Sequence, residues 1–209
     1  MISMRNIILF GEDSAHESVL KAILQRISAD YGVAVSVTVR SSIGGYGVAL
    51  DEFAGLLREI LLRNGPLPDL IILTTDSNCK GLTARLKDAR KKVPPELEDR
   101  IVYAVPAPHI ERWLLLDSEA FKAVLGRGCR APDKKCKRDR YKQHLATAVR
   151  EAGLRPLLGG VEYAGDIIEQ MDFNRAMAKD ESFGHFMKDL RAAFVQWHRE
   201  EGGESPPAI

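Results

Sequence analysis

Apolar positions in the first half of the chain follow two alternating rhythms, one of strands and one of helices. Residues 6–10 form a short, continuously apolar run that ends in Gly11-Glu12-Asp13. Over 15–31, Val19, Leu20, Ile23, Leu24 and Ile27 recur at helical spacing. Residues 33–39 read Val-Ala-Val-Ser-Val-Thr-Val, a β-branched alternation that predicts a strand. A helical stripe through Phe53, Leu56, Leu57 and Ile60 occupies 50–62. Gly65-Pro66 and Pro68 interrupt it, and 70–73 is a second continuous apolar run. Residues 82–92 form a basic amphipathic stretch closed by Pro94-Pro95, and 101–105 is a fourth strand candidate.

Strands that alternate with helices require crossover connections, which predicts a parallel sheet covered on both faces. The two continuous runs are expected as central strands, because a strand buried on both faces loses its polar alternation. The expected fold is α/β, with a Rossmann-like four-stranded parallel core over residues 1–106. Residues 107–201 read as a helical extension packed on that core, with helices over 110–124, 137–152, 165–171 and 183–197. The last carries Phe183, Phe186, Met187, Leu190, Phe194 and Trp197 as a packing stripe. Residues 202–209 are rich in Gly and Pro and read as a flexible tail.

With 45% hydrophobic and 28% charged residues among 209, the chain is neither collagen-like nor wholly disordered. No apolar run approaches the roughly 18 residues that span a bilayer. The apolar stretch near the N-terminus covers only 7–10, which makes no secretory signal. Cys79, Cys129 and Cys136 are an odd, sparse set without metal-ligand spacing, as expected of a protein in a reducing cytoplasm. The net charge of +1 conceals a concentration: residues 127–142 carry +6 in sixteen positions. That predicts contact with a phosphate backbone through Arg130, Lys134, Lys135, Lys137, Arg138 and Lys142. A solvated helix face with a basic loop is the plain alternative. Tyr141 in this segment would stack on a base or pack.

Ligands of open parallel sheets bind beyond the carboxyl ends of the strands. Glu12 and Asp13 follow the first strand, with His16 and Glu17 one turn on, Asp76 and Asn78 the third, and His109 and Glu111 the fourth. Clustered carboxylates repel unless a cation lies between them, and Asp, Glu and Asn oxygens suit a hard one. Helix capping is the competing explanation for each acid taken singly. Asp117 falls on an apolar helix face and should find a buried Arg or Lys. Gly44, Gly45 and Gly47 lack the Lys-Ser/Thr of a phosphate-binding P-loop, and no Gly-x-Ser-x-Gly elbow occurs.

Glu12 after the first strand, together with Leu73-Thr74-Thr75-Asp76-Ser77-Asn78 and Gly81, resembles the Toprim domain of topoisomerases, primases and OLD-type nucleases. Pro106-Ala107-Pro108-His109-Ile110-Glu111-Arg112-Trp113, with the leucines up to Asp117, is similar to an element of small stand-alone Toprim-like proteins. These include the RloB-like bacterial group, often encoded beside an AAA-type ATPase. Lys134-Lys135-Cys136 to Tyr141-Lys142 resembles their following helix, so the likeness loosely spans residues 5–150.

The resemblance implies a phosphodiester site dependent on Mg²⁺ or Mn²⁺. Glu12, Asp76 and Glu111 would be its catalytic carboxylates, and Glu12, Asp76 and Asn78 its metal ligands. Two departures stand out. Asn78 replaces the second acid of the family's Asp-x-Asp, and the inverted Gly11-Glu12 order would let the first acid slip to Asp13. The leading expectation is a cytoplasmic, metal-dependent nuclease acting on DNA or RNA, with a phage-defence role and an ATPase partner by family analogy. A nucleic-acid-binding or regulatory subunit with weakened catalysis is the alternative, favoured by Asn78. A receiver-like phosphoryl-transfer module ranks last, because Thr74 stands where its phospho-acceptor should be.

Overall fold

The computed structural model describes residues 4–42, 44, 46–63, 65–137 and 139–203. Strands β1 (Arg5–Gly11), β2 (Val35–Ser41), β3 (Leu70–Thr74) and β4 (Ile101–Ala104) form one parallel sheet in the order β2-β1-β3-β4. The two continuous apolar runs are the central strands, as expected, and every residue of β3 is buried. The alternating Val run lies at an edge, where β2 switches between half-buried and exposed positions.

The crossovers are α1 (Ser14–Tyr31), α2 (Tyr46–Leu62) and α3 (Leu82–Arg90). Because side chains alternate across a strand, Ile7, Leu9, Leu70 and Ile72 share one core with Leu20 and Ile23 of α1. Phe10, Ile71 and Leu73 share the other with Phe53 and Leu57 of α2 and Ala89 of α3. The chain thus steps from β1 to β2 over one face and returns through β3 to β4 over the other, as a single crossover hand requires.

The second half departs from expectation in one place and adds a helix in another. Residues 110–124 are not one helix but a 3-10 segment (Ile110–Leu115) followed by α4 (Ser118–Leu125). The break is at Asp117, whose extended backbone lets its carboxylate accept from Glu119 N at 3.1 Å and cap α4. The same carboxylate takes Asp172 N and Arg175 Nη2, each at 2.9 Å, which supplies the arginine partner its apolar surroundings demanded. Next come α5 (Arg140–Glu151), α6 (Ala164–Gln170), the unanticipated α7 (Phe173–Lys179) and α8 (Glu181–Glu200). The α8 stripe is packing: Trp113 stacks on Phe186 with ring centroids 5.5 Å apart, and Phe183 meets its edge. Ile167, Ile168, Phe173 and Leu190 join the α1 core, so these helices thicken the layer on that face. Each such fully buried side chain contributes about 1.5–3 kcal/mol.

Among the described residues, no helix is long and apolar enough to cross a membrane. Arg138, part of the loop at 43–45 and the tail beyond 203 lie outside the described residues.

Candidate functional site

Connections leave β1 and β3 toward opposite sides, so the crevice between their carboxyl ends is the topological switch point of the sheet. Glu12 follows β1 and Asp76 follows β3 at that crevice. The segments after β3 and β4 stay paired beyond the sheet. Thr75 N donates to Ala104 O at 3.2 Å, Ser77 N to Pro106 O at 2.8 Å and Asn78 N to Pro108 O at 3.1 Å. This pairing draws His109 and Ile110 onto Asp76.

Asp76 is the hub of the rim. Its Oδ1 accepts from His16 Nε2 at 3.1 Å and Ile110 N at 3.0 Å, and its Oδ2 from His109 Nδ1 at 2.7 Å. His16, only 1% exposed, also donates through Nδ1 to Asp13 at 2.9 Å. Asp13 caps α1, accepting from Ala15 N at 3.0 Å and His16 N at 3.1 Å, which accounts for that acid. Burial alone would push the His16 imidazole down, but the Asp76 and Asp13 carboxylates overcome it and hold it at about 10. Burial would likewise raise Asp76, and the charges and hydrogen bonds of His16 and His109 keep it below the usual carboxylate range.

Two further carboxylates have the opposite bias. Burial pushes Glu12 up, and the Asp76 charge adds to this while His16 opposes it. Glu111, 2% exposed, is raised by burial and by Asp76, with Lys142 Nζ 3.9 Å from its Oε1 as a distant counter-ion. Glu12 accepts a long contact of 3.4 Å from the Asp76 amide. Asp76 thus links Glu12 and Glu111 in one electrostatic neighbourhood, with Lys142 beside Glu111. A cleft of about 480 Å³ adjoins it, lined by Asp13, Glu111, Lys142 and the exposed Leu158 among others.

The donor set bears on the expected metal. Among the described residues, no group of three or more His, Cys, Asp and Glu side chains is arranged to hold an ion. Both Asp76 oxygens are taken by imidazoles and an amide, so a cation there would have to displace them. Asn78 directs its amide toward Asp76 O at 3.5 Å and adopts a left-handed backbone, φ 47°, which asparagine tolerates better than most residues. Its residue type thus has a conformational reason independent of ligation. Glu12 and Glu111 remain: hard oxygen donors whose charge is poorly compensated, in the number that Mg²⁺ commonly takes from a protein.

The basic segment is partly committed to local pairs. Lys134 reaches Asp180 at 3.3 Å, Lys135 pairs with Asp133 at 3.1 Å, and Arg140 also binds Asp133. Arg130 and Lys137 line open clefts on the α5 side. Tyr141 packs: its ring is buried, its hydroxyl accepts from Lys135 N at 2.9 Å, and His109 lies 5.5 Å from it between centroids.

Sequence reasoning placed His16 and His109 near the rim but gave neither a role. A histidine three residues after a capping aspartate was the available signal. The cysteines differ from expectation more sharply. Cys79 and Cys136 form a disulfide across 57 residues, Cα atoms 5.1 Å apart, and Cys129 is free. An odd count at irregular spacing carried no hint of the pairing. The bond ties the segment after Asp76 to the basic loop. Closing so long a loop restricts the unfolded chain and contributes about 2–4 kcal/mol. Dithiothreitol or Cys136→Ser should therefore lower the melting temperature by roughly 4–16 °C, read by calorimetry in an oxidising buffer. An unmoved transition would remove the cross-link from the account of stability.

Comparison with protein-family models, with curated proteins and with solved structures found no match, so no family is assigned to this chain on those grounds.

Proposed function

We propose that this protein is a metal-dependent nuclease that hydrolyses phosphodiester bonds of DNA or RNA at the rim between β1 and β3. The observation that supports it is the pair of carboxylates raised by burial, Glu12 and Glu111, each coupled to Asp76, with Lys142 beside Glu111. When bound, Mg²⁺ or Mn²⁺ supplies Lewis-acid polarisation of a phosphoryl oxygen and a water of lowered pKa. Glu12 and Glu111 would hold the ion, which would offset the unfavourable burial of their charges. Asp76 fixes the His109 ring through Nδ1 and the start of the 3-10 segment through Ile110 N, so it orders the wall that carries Glu111. Lys142 is placed to meet a phosphate oxygen in exchange for its long contact with Glu111. The small Toprim-like resemblance belongs to this reading, as do an AAA-type ATPase partner, a role in phage defence and a cytoplasmic location. In a reducing cytoplasm the Cys79–Cys136 pair would stand as thiols.

The test is cleavage of labelled plasmid, single-stranded DNA and structured RNA with Mg²⁺, Mn²⁺ or EDTA. Wild type should cut only with metal, and Glu12→Gln and Glu111→Gln should each reduce the rate roughly 100-fold or more. A thermal shift supplies a readout free of turnover. Mg²⁺ should raise the melting temperature of wild type and leave both variants unmoved. Metal-dependent cutting that survives in both variants would sink the assignment.

The second reading, a nucleic-acid-binding subunit with weakened chemistry, is favoured by the full engagement of the Asp76 oxygens. Salt-sensitive binding with no cutting under any metal would decide for it.

A further inference from the structure

We infer that the outward face of α5 and the segment at 130–137 form a trough for the sugar–phosphate backbone of one nucleic-acid strand. The inference rests on the nuclease reading for the identity of the polyanion, and on the following geometry for its path. Two clefts, of about 670 and 320 Å³, adjoin there and share Arg140 and His144. Arg112, Arg130 and Asp133 help to line the first, and Lys137, Gln143 and Thr147 the second.

The helix explains why these residues share a surface. Positions 140, 143, 144 and 147 follow the spacing of one helical face, while Tyr141, Leu145, Ala146 and Val149 are buried on the other. The rise from 140 to 147 is about 10 Å, enough for about two neighbouring phosphates of a strand. Among the described residues, four cations line the two clefts against the single acid Asp133; Arg112 is committed to buried Asp180 and Arg140 to Asp133. Arg130 and Lys137 are therefore the charges offered to a ligand, with Gln143 and Thr147 as neutral hydrogen-bonding partners.

Among the described lining residues there is no Phe, Tyr or Trp on which a base could stack. The trough contacts backbone rather than sequence, and its two adjoining clefts make a single path, which suits one strand rather than a duplex. This path differs from a uniformly basic patch. Lys134 and Lys135 are held by Asp180 and Asp133 and stand outside it.

The experiment is fluorescence anisotropy of a single-stranded oligonucleotide of about 20 nucleotides, in EDTA, across about 50–200 mM salt. Wild type should show a log–log salt slope of about −1.4, from two cationic contacts at about 0.7 each. Arg130→Gln with Lys137→Gln should bring that slope to about zero. Thr147→Glu, on an exposed helical position that tolerates glutamate, should weaken binding several-fold equally on mixed and homopolymeric sequences. An unchanged slope in the double variant, undiminished binding by Thr147→Glu, or no salt-dependent binding by wild type would each overturn the trough. Tighter binding of duplex with the same slope loss would overturn the single-strand assignment. Because binding is read without metal, the two readings fail separately. Absent cutting with the expected slopes removes only the nuclease, and metal-dependent cutting with unchanged slopes removes only the trough.

Discussion

Alanine at position 76 should destabilise the protein by about 3–5 kcal/mol and abolish any cleavage the wild type shows. The size of the effect follows from what Asp76 compensates. Its carboxylate faces two imidazoles and one backbone amide, and one of those imidazoles belongs to His16, which is 1% exposed. Removing the carboxylate leaves a buried imidazolium hydrogen-bonded to Asp13 but stripped of its Asp76 partner, and leaves the Ile110 amide without its acceptor. Breaking one side of a buried charge pair is far more damaging than the pair is worth intact. Asp76→Asn keeps the volume and an acceptor for Ile110 N while removing the charge, so its loss of stability should be smaller and its loss of cleavage equal. Urea unfolding at neutral pH reads the first effect. A transition within about 1 kcal/mol of wild type in the alanine variant would show that this network does not hold the rim together.

The second large effect is on the alkaline side of the stability curve. His16 titrates at about 10 in the folded protein against 6.5 as its ordinary value, so the folded state binds its proton more tightly. For a raised pKa the stabilisation is complete below the unfolded value and fades as pH climbs through the folded one. Between those values the folded state holds about one proton more than the unfolded state, so stability should fall by about 1.4 kcal/mol per pH unit. The acid side has the opposite sign. Asp13 and Asp76 lie below their ordinary 3.8, so their contribution is present above that value and lost as pH falls beneath it. The network is thus at full strength from about pH 4 to pH 6.5. Urea midpoints at mildly acidic, neutral and mildly alkaline pH would show the decline in wild type. His16→Gln should be less stable at the acidic point and decline less steeply across the alkaline range, where His109, also raised by Asp76, still titrates. Parallel curves for the two proteins would remove His16 as the titrating group.

The sheet was legible because its signal is local. A strand covered on both faces has no solvent-facing position, so 70–73 is apolar throughout, whereas edge strand β2 keeps its alternation. Those two patterns distinguish β3 from β2, though not from edge strand β4, whose Ile-Val-Tyr-Ala run is also apolar throughout, and with the intervening helices they imply the parallel order. The rim acids were legible for the same reason, since the ends of parallel strands lie on one side by construction. Asp117 is an intermediate case. Its need for a partner could be read from an apolar helix face, but Arg175 as that partner could not. Helix α7 went unseen because only Phe173 and Ala176 are buried along it, too few to establish a periodicity, whereas α6 of equal length carries Ala164, Ile167 and Ile168 at helical spacing.

What the chain determined by itself is therefore its class, its central strands and the rim where its strand-end acids lie. Only the tertiary structure decided how that rim is wired. His16 and Asp76 are 60 residues apart, His109 and Asp76 are 33 apart, and Cys79 and Cys136 are 57 apart. Periodicity and capping act over a few residues and leave a trace at each position. A hydrogen bond or disulfide between distant segments leaves none, because either partner alone looks like an ordinary histidine, aspartate or cysteine until the sheet and its loops bring the two together.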